Sequence, residues 1–218
     1  MPDIAAADRR QLAKTAQPKL SKWPRTERRT ERINSVLRRR QPDLTIVLED
    51  VHDRHNASAV LRACDAVGVQ GIHLVYTVDK PPEEAFARTT SSGAVKWIEI
   101  FRHDSVEACY AALRAAGLTI IATALTEGNQ DFYDFDLTRP TALVFGNEQR
   151  GVSALAADLA DATTLIPMHG MVESLNISVA CAVTLFEAMR QRRANGLYDT
   201  PRLPANEIEA LRDDWLKR

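Results

Sequence analysis

Three short stretches set polar side chains where apolar, strand-like runs give way to helix-like ones: "HNASAVLRACDAVGV", "FGNEQRGVS" and "IPMHGMVESLNISVACAV". In the first, Asn56 or Ser58 could cap a helix, and His55 and Arg62, seven residues apart, fall on roughly one helical face. A plainer use of Arg62 is a surface ion pair with Asp65 at i+3. In the second, an apolar strand ends at Gly146, the polar cluster Asn147-Glu148-Gln149-Arg150 follows, and Gly151 resets the chain before Ser153 can cap a helix. That is the shape of a binding loop, and equally of any strand-to-helix turn. In the third, Pro167 and Gly170 break regular structure, and Ser174 or Asn176 can cap a helix that starts there. The apolar Leu175, Ile177, Val179, Val183, Leu185 and Phe186 nearly encircle that helix, so burial is expected. A buried helix start leaves N–H groups for side chains or a ligand to satisfy.

The elements that must position these loops follow from periodicity. A charged helix is expected over 26–40, then strand 44–50, helix 56–68, strand 71–76, strand 96–101, helix 105–116 and strands 118–125 and 141–146. A short helix opens at Ser153, strand 163–168 comes next, then a long helix over 175–195 and a final amphipathic helix in "LPANEIEALRDDWLKR". Strands alternating with helices imply an α/β fold, a mostly parallel sheet covered on both faces. In such sheets ligands bind beyond the carboxyl ends of the strands, where all three polar loops fall.

Composition narrows the class. The chain has 218 residues, 45% apolar and 26% charged, with few aromatics, as expected of one substantial α/β core rather than a β-sandwich or barrel. The start has no apolar leader and the longest apolar run, 177–186, is too short to span a bilayer, which points to the cytoplasm. Cys64, Cys109 and Cys181 form no CxxC pair and no evident Cys/His cluster; buried, reduced thiols and no metal are expected. Neither GxGxxG after a strand nor GxxxxGK[ST] occurs, so nicotinamide dinucleotides and P-loop nucleotides are not indicated. The net charge of -1 hides an asymmetry: residues 1–40 hold twelve Lys/Arg against four Asp/Glu. A basic segment of this kind suits a polyanion.

Taken together and in this order, the three stretches resemble motifs 1, 2 and 3 of the SpoU branch of the SPOUT RNA methyltransferases, over 44–193. The leader "RTERRTERINSVLRRRQPDL" and the tail "GLYDTPRL" further resemble the TrmH-type tRNA (guanosine 2′-O)-methyltransferases. The resemblance implies a deep C-terminal trefoil knot, S-adenosyl-L-methionine as cofactor, a homodimer with the active site at the subunit interface, and methylation of the ribose of guanosine 18 in the tRNA D-loop. It divides the chain into a basic extension and helix (1–43), the knotted methyltransferase domain (44–195) and a C-terminal helical extension (196–218).

By the same resemblance Asn56, Arg62, Glu148, Ser174 and Asn176 are the catalytic set. Arg62 would assist loss of the ribose 2′-hydroxyl proton. Because guanidinium stays protonated, its physically reasonable part is stabilising negative charge that develops on the oxygen. Thr123, Ala124, Leu125, Gly146, Ile166, Met168, Ser174 and Leu175 would line the cofactor pocket, and Arg32, Arg40, His55, Arg190 and Arg192 would meet tRNA. Two alternatives stand beside this reading: the same reaction on ribosomal RNA, and a knotted RNA-binding protein without catalysis. The roughly 43 residues before the first strand are too few and too charged for a separate RNA-binding domain with its own core, which favours tRNA.

Overall fold

The computed structural model describes residues 25–78, 93–124, 126 and 129–218. Of the expectations above, Leu125 and the segment 1–24 lie outside the described residues. The elements are α1 (Arg25–Leu37), β1 (Leu44–Glu49), α2 (Arg54–Val67), β2 (Gly71–Val75), β3 (Glu99–His103), α3 (Val106–Ala115), β4 (Thr119–Thr123), β5 (Gln130–Asp131), β6 (Thr141–Phe145), α4 (Ala154–Leu159), β7 (Ala162–Leu165), α5 (Ile177–Ala194) and α6 (Ala205–Lys217). Single 3-10 turns occupy Ala94–Lys96 and Phe132–Asp134.

The seven strands among the described residues are all parallel, in the order β3-β2-β1-β6-β4-β7-β5. Parallel strands buried on both faces read as apolar runs, and β1 and β6 are buried at every position. One face packs against α2 and α5 through Leu61, Cys64, Cys181 and Leu185; the other packs against α3 and α4 through Val47, Tyr110, Leu113 and Ala156. The two-residue β5 was not expected from sequence, because so short a strand carries no period.

The first and last described helices meet. Ile33, Val36 and Leu37 of α1 pack with Ile208, Leu211 and Trp215 of α6, and Trp97 lies against Trp215 with ring centroids 4.9 Å apart. The apolar side of the otherwise charged α1 thus has its partner in α6.

Burial of α5 is one-sided, which corrects the expectation of a helix buried all round. Ile177, Cys181, Leu185 and Ala188 face the core, while Val179 and Phe186 remain 46% and 47% exposed. The sheet and α2 cover one side of this helix and leave the other open in a single chain. The three cysteines are free and buried, as expected.

Candidate active site

The three polar loops converge. The carboxyl ends of β4, β6 and β7 open into a cleft of about 670 Å³, within the usual range for a small-molecule site. Thr123, Ala124, Gly146, Ile166, Met168, Ser174 and Leu175 all line it, together with Glu148 and Asn176. Seven of the eight residues expected at the cofactor pocket therefore share one hollow. Asn147 and Arg150, from the polar cluster that follows Gly146, stand on the same walls, and so do Asp158 and Glu173, which sequence reasoning missed.

The loop after β6 is built for close approach. A Cβ on Gly146 would fall 2.0 Å from the Gly151 carbonyl oxygen, so only glycine fits there. The Asn147 Oδ1 accepts from the backbone N–H groups of Gln149 and Arg150, an Asx turn, and Gly151 closes the loop at φ 70°. Asn147 then donates through Nδ2 to the Asp50 carbonyl, 2.9 Å away, tying the loop to the end of β1. Ser153 caps α4 as expected, and its own N–H donates to Glu49.

Asp50 sits in the left-handed region at φ 51°, which Asp tolerates better than most residues. Its carboxylate accepts from Thr77 N–H and Oγ1 and from Val78 N–H, with Arg150 3.7 Å away. Burial alone would raise its pKa; the Thr77 and Val78 hydrogen bonds and Arg150 outweigh it and hold the carboxyl below its ordinary value.

One helix cap is corrected and another is decided. Asp53, not Asn56 or Ser58, caps α2, accepting from His55 N–H. Asn56 therefore lies in the first turn with its amide free to reach sideways. At α5 the open choice falls on Asn176, whose Oδ1 accepts from the N–H and hydroxyl of Ser178. Its Nδ2 donates to Asn56 Oδ1 at 3.0 Å, and Asn56 Nδ2 donates to Glu148 Oε1 at 2.8 Å. One directional relay, Ser178 to Asn176 to Asn56 to Glu148, joins the three motifs and ends on a carboxylate that only accepts when ionised.

Arg62 stands apart. It is exposed on α2, does not line the cleft, and among the described residues its side chain has no hydrogen-bond or ion-pair partner. The alternative of a pair with Asp65 fails because Asp65 accepts from Arg40 instead, at 2.9 Å. His55 and Ser174 are exposed as well.

Of the five residues expected at RNA, Arg40 and Arg192 are corrected: both are 0% exposed. Arg192 spends all five of its N–H donors inside the protein, on Leu137 O, Gln41 Oε1, Asp43 Oδ1, Asp43 O and Arg139 O. Arg40 donates to Val69 O, Asp65 and Trp97 O and lies over the Trp215 ring. Desolvation lowers the Arg40 pKa despite Asp65, consistent with a structural guanidinium. Arg190 is exposed but already paired with Glu187. Arg32 opens onto a hollow of about 810 Å³ that Trp97, Trp215 and Tyr198 also line, and the other two arginines there are Arg39 and Arg193, the immediate neighbours of the two corrected residues.

Residues 43–186 match the SpoU rRNA methylase family. The chain belongs to that family. A relative described as a tRNA (guanosine(18)-2′-O)-methyltransferase, from Thermus thermophilus, is 50% identical over 194 residues, covering 89% of this chain and 98% of its own. The crystal structure of the Aquifex aeolicus TrmH/SpoU tRNA modifying enzyme superposes with a TM-score of 0.78 at 36% identity, over 88% of this SpoU chain and 96% of that one. The SpoU methyltransferase AviRb of Streptomyces viridochromogenes, solved in complex with AdoMet, superposes with a TM-score of 0.61 at 30% identity, over 71% and 60% of the two chains. The SpoU fold thus accounts for the parallel sheet, and the family's three motifs are the loops that the relay joins.

Proposed function

We propose that this protein transfers a methyl group from S-adenosyl-L-methionine to the ribose 2′-oxygen of guanosine 18 in tRNA. The observation that carries this reading is the relay from Asn176 through Asn56 to Glu148 on the rim of a cleft at the strand ends. Near-complete coverage of the Thermus thermophilus relative supports the substrate.

The cleft suits the cofactor. Ile166, Leu165 and Ile177 offer an apolar wall for a purine, while Glu148, Glu173 and Asp158 offer acidic groups for an ammonium and Arg150 a partner for a carboxylate. Bound there, the cofactor supplies a methyl group on a positively charged sulfur, an electrophile needing little further activation. The protein's work is then placement. Asn56 and Asn176, locked by their mutual hydrogen bond, fix the floor on which the ribose rests, and Glu148 fixes Asn56 in turn. Arg62 stabilises negative charge growing on the 2′-oxygen as its proton leaves.

Because Arg62 lies off its own chain's cleft, a homodimer completes the site: Arg62 of one subunit serves the cleft of the other. The exposed Val179 and Phe186 of α5, on a helix packed against α2, give that contact an apolar surface. We read the loop 166–176 and α5 as the family's trefoil knot. The tRNA is held outside the cleft by Arg32, Arg39 and Arg193, with His55 and Arg190 as further contacts and the basic 1–40 segment contributing long-range attraction. None of the described helices is long and apolar enough to cross a membrane; the proposed tRNA substrate supports a cytoplasmic location.

The deciding experiment is transfer of labelled methyl groups to unmodified tRNA transcript, with the product nucleotide mapped. Label on the ribose of guanosine 18 that disappears when that guanosine is replaced by adenosine is the expected result. Label on ribosomal RNA alone would move the substrate; label on neither, with RNA still bound, would leave an RNA-binding protein.

A further inference from the structure

Parallel pairing of β2 and β3 sets His73 opposite Phe101 and Val75 opposite His103. His73 and His103 are therefore diagonal neighbours on one face of the sheet, the face that α3 covers. Their ring nitrogens, His73 Nδ1 and His103 Nε2, are 2.8 Å apart. From α3, Cys109 reaches the same point, and its sulfur and the two nitrogens all lie within 4.8 Å of one another.

We propose that His73, His103 and Cys109 bind a divalent transition-metal ion of the zinc type, which clips the edge strand β3 to β2 and α3. The sequence suggested no such cluster because the three ligands come from three separate elements, 30 and 6 positions apart. Two imidazoles and a thiolate suit zinc or cobalt rather than magnesium or calcium, which prefer oxygen.

The geometry is close to that required. With metal–nitrogen bonds of about 2.0–2.1 Å, tetrahedral nitrogens stand roughly 3.4 Å apart, so the two rings must separate by about half an ångström. Side-chain rotation supplies that, since both imidazoles are only partly buried. Burial and His103 depress the His73 pKa to about 4, so its imidazole is already neutral. Burial lifts Cys109 to about 12, so the metal–sulfur bond forms as the thiol proton leaves to solvent. The hydrogen now shared between the rings moves to an outer ring nitrogen, and one proton is released per metal bound. Three protein ligands leave a fourth position for water.

The edge strand has reason to be clipped: β3 has no fully buried residue, and its Phe101 is 43% exposed. None of these ligands belongs to the cleft or its relay.

The full-length protein, stripped with chelator, is titrated with cobalt(II) alone and followed by absorbance. One equivalent should bind and produce a near-ultraviolet thiolate-to-metal band with visible tetrahedral bands. Cys109→Ser should abolish the thiolate band, whereas Cys64→Ser should keep it. His103→Gln, at a partly exposed position that leaves the core intact, should weaken binding at least about ten-fold, since even loss of groups behind metal ligands costs about 10–100-fold. Zinc should raise the melting temperature of the wild type but not of His103→Gln. No saturable binding at one equivalent, or a thiolate band that persists in Cys109→Ser, overturns the proposal.

Discussion

Asn56 donates through Nδ2 to Glu148 Oε1 at 2.8 Å, across 92 positions of chain. Its carbonyl oxygen meanwhile accepts from Asn176, so both halves of one amide are committed. Asn56→Asp replaces the donor with an acceptor and sets two carboxylates together, while Asn56→Ala merely leaves partners unpaired. Both should lose methyl transfer. The Asp variant should be the worse, destabilised by roughly 1–3 kcal/mol in urea unfolding; equal activities in the two would mean that the relay's direction is unimportant.

Arg62→Ala should retain cofactor affinity and oligomeric state yet lose nearly all turnover, because the residue lies off its own chain's cleft and the proposed function gives it a part only at the reacting oxygen. Calorimetry with S-adenosyl-L-methionine, beside single-turnover kinetics, separates the two effects. Near-normal turnover would remove Arg62 from the reaction.

Gly146→Ala forces a Cβ against the Gly151 carbonyl. With backbone on the far side of the clash, nothing can yield cheaply, and a loss of roughly 2–4 kcal/mol in stability with loss of cofactor binding is expected. Thermal unfolding with and without cofactor checks it: a variant that still gains stability on adding cofactor contradicts the assigned cleft.

Neighbouring arginines should behave oppositely. Arg192→Ala leaves Asp43 to Arg202 alone and strips the Leu137, Asp43 and Arg139 carbonyls of a donor, which should cost roughly 3–5 kcal/mol of stability. Arg193→Ala, at an exposed position, should leave the melting point unchanged, weaken tRNA binding and flatten its salt dependence by about one counterion. An unchanged salt slope would take Arg193 out of the interface.

Asp50 gives a pH signature. Its folded pKa is lowered, so it contributes stability above the ordinary carboxylate value of 3.8, and that contribution fades as pH falls through the lower folded value. Asn also tolerates the positive φ, so Asp50→Asn keeps the backbone. The variant should be less stable than wild type at pH 7, with the gap closing below pH 3.8; a gap that widens there would reverse the sign.

Strands β1, β4 and β6 were legible in sequence because apolar residues dominate them, and α4 because Ser153 stands at its start; β3 runs over Glu99–His103 rather than 96–101 because a 3-10 turn occupies Ala94–Lys96. That Gly146, Ile166, Met168, Ser174 and Leu175 line one cleft was legible through the motifs that carry them. Arg40 and Arg192 were misread because only tertiary structure reveals a buried guanidinium's partners: Asp43, Gln41 and Asp65 are ordinary polar residues until the fold gathers them. Asp53 was overlooked as a cap because two stronger-looking candidates come after it. Residue spacing within one chain also says nothing about a residue that acts on another.

Packing of α6 on α1 has a consequence for the order of folding. Arg29 donates to the Trp215 carbonyl across 186 positions of chain. In an unfolded chain so long a loop must close before the contact returns anything, so the two helices join only after the sheet has drawn them together. The hollow that Arg32, Trp97, Arg193 and Trp215 help to line is accordingly completed after the core beneath it.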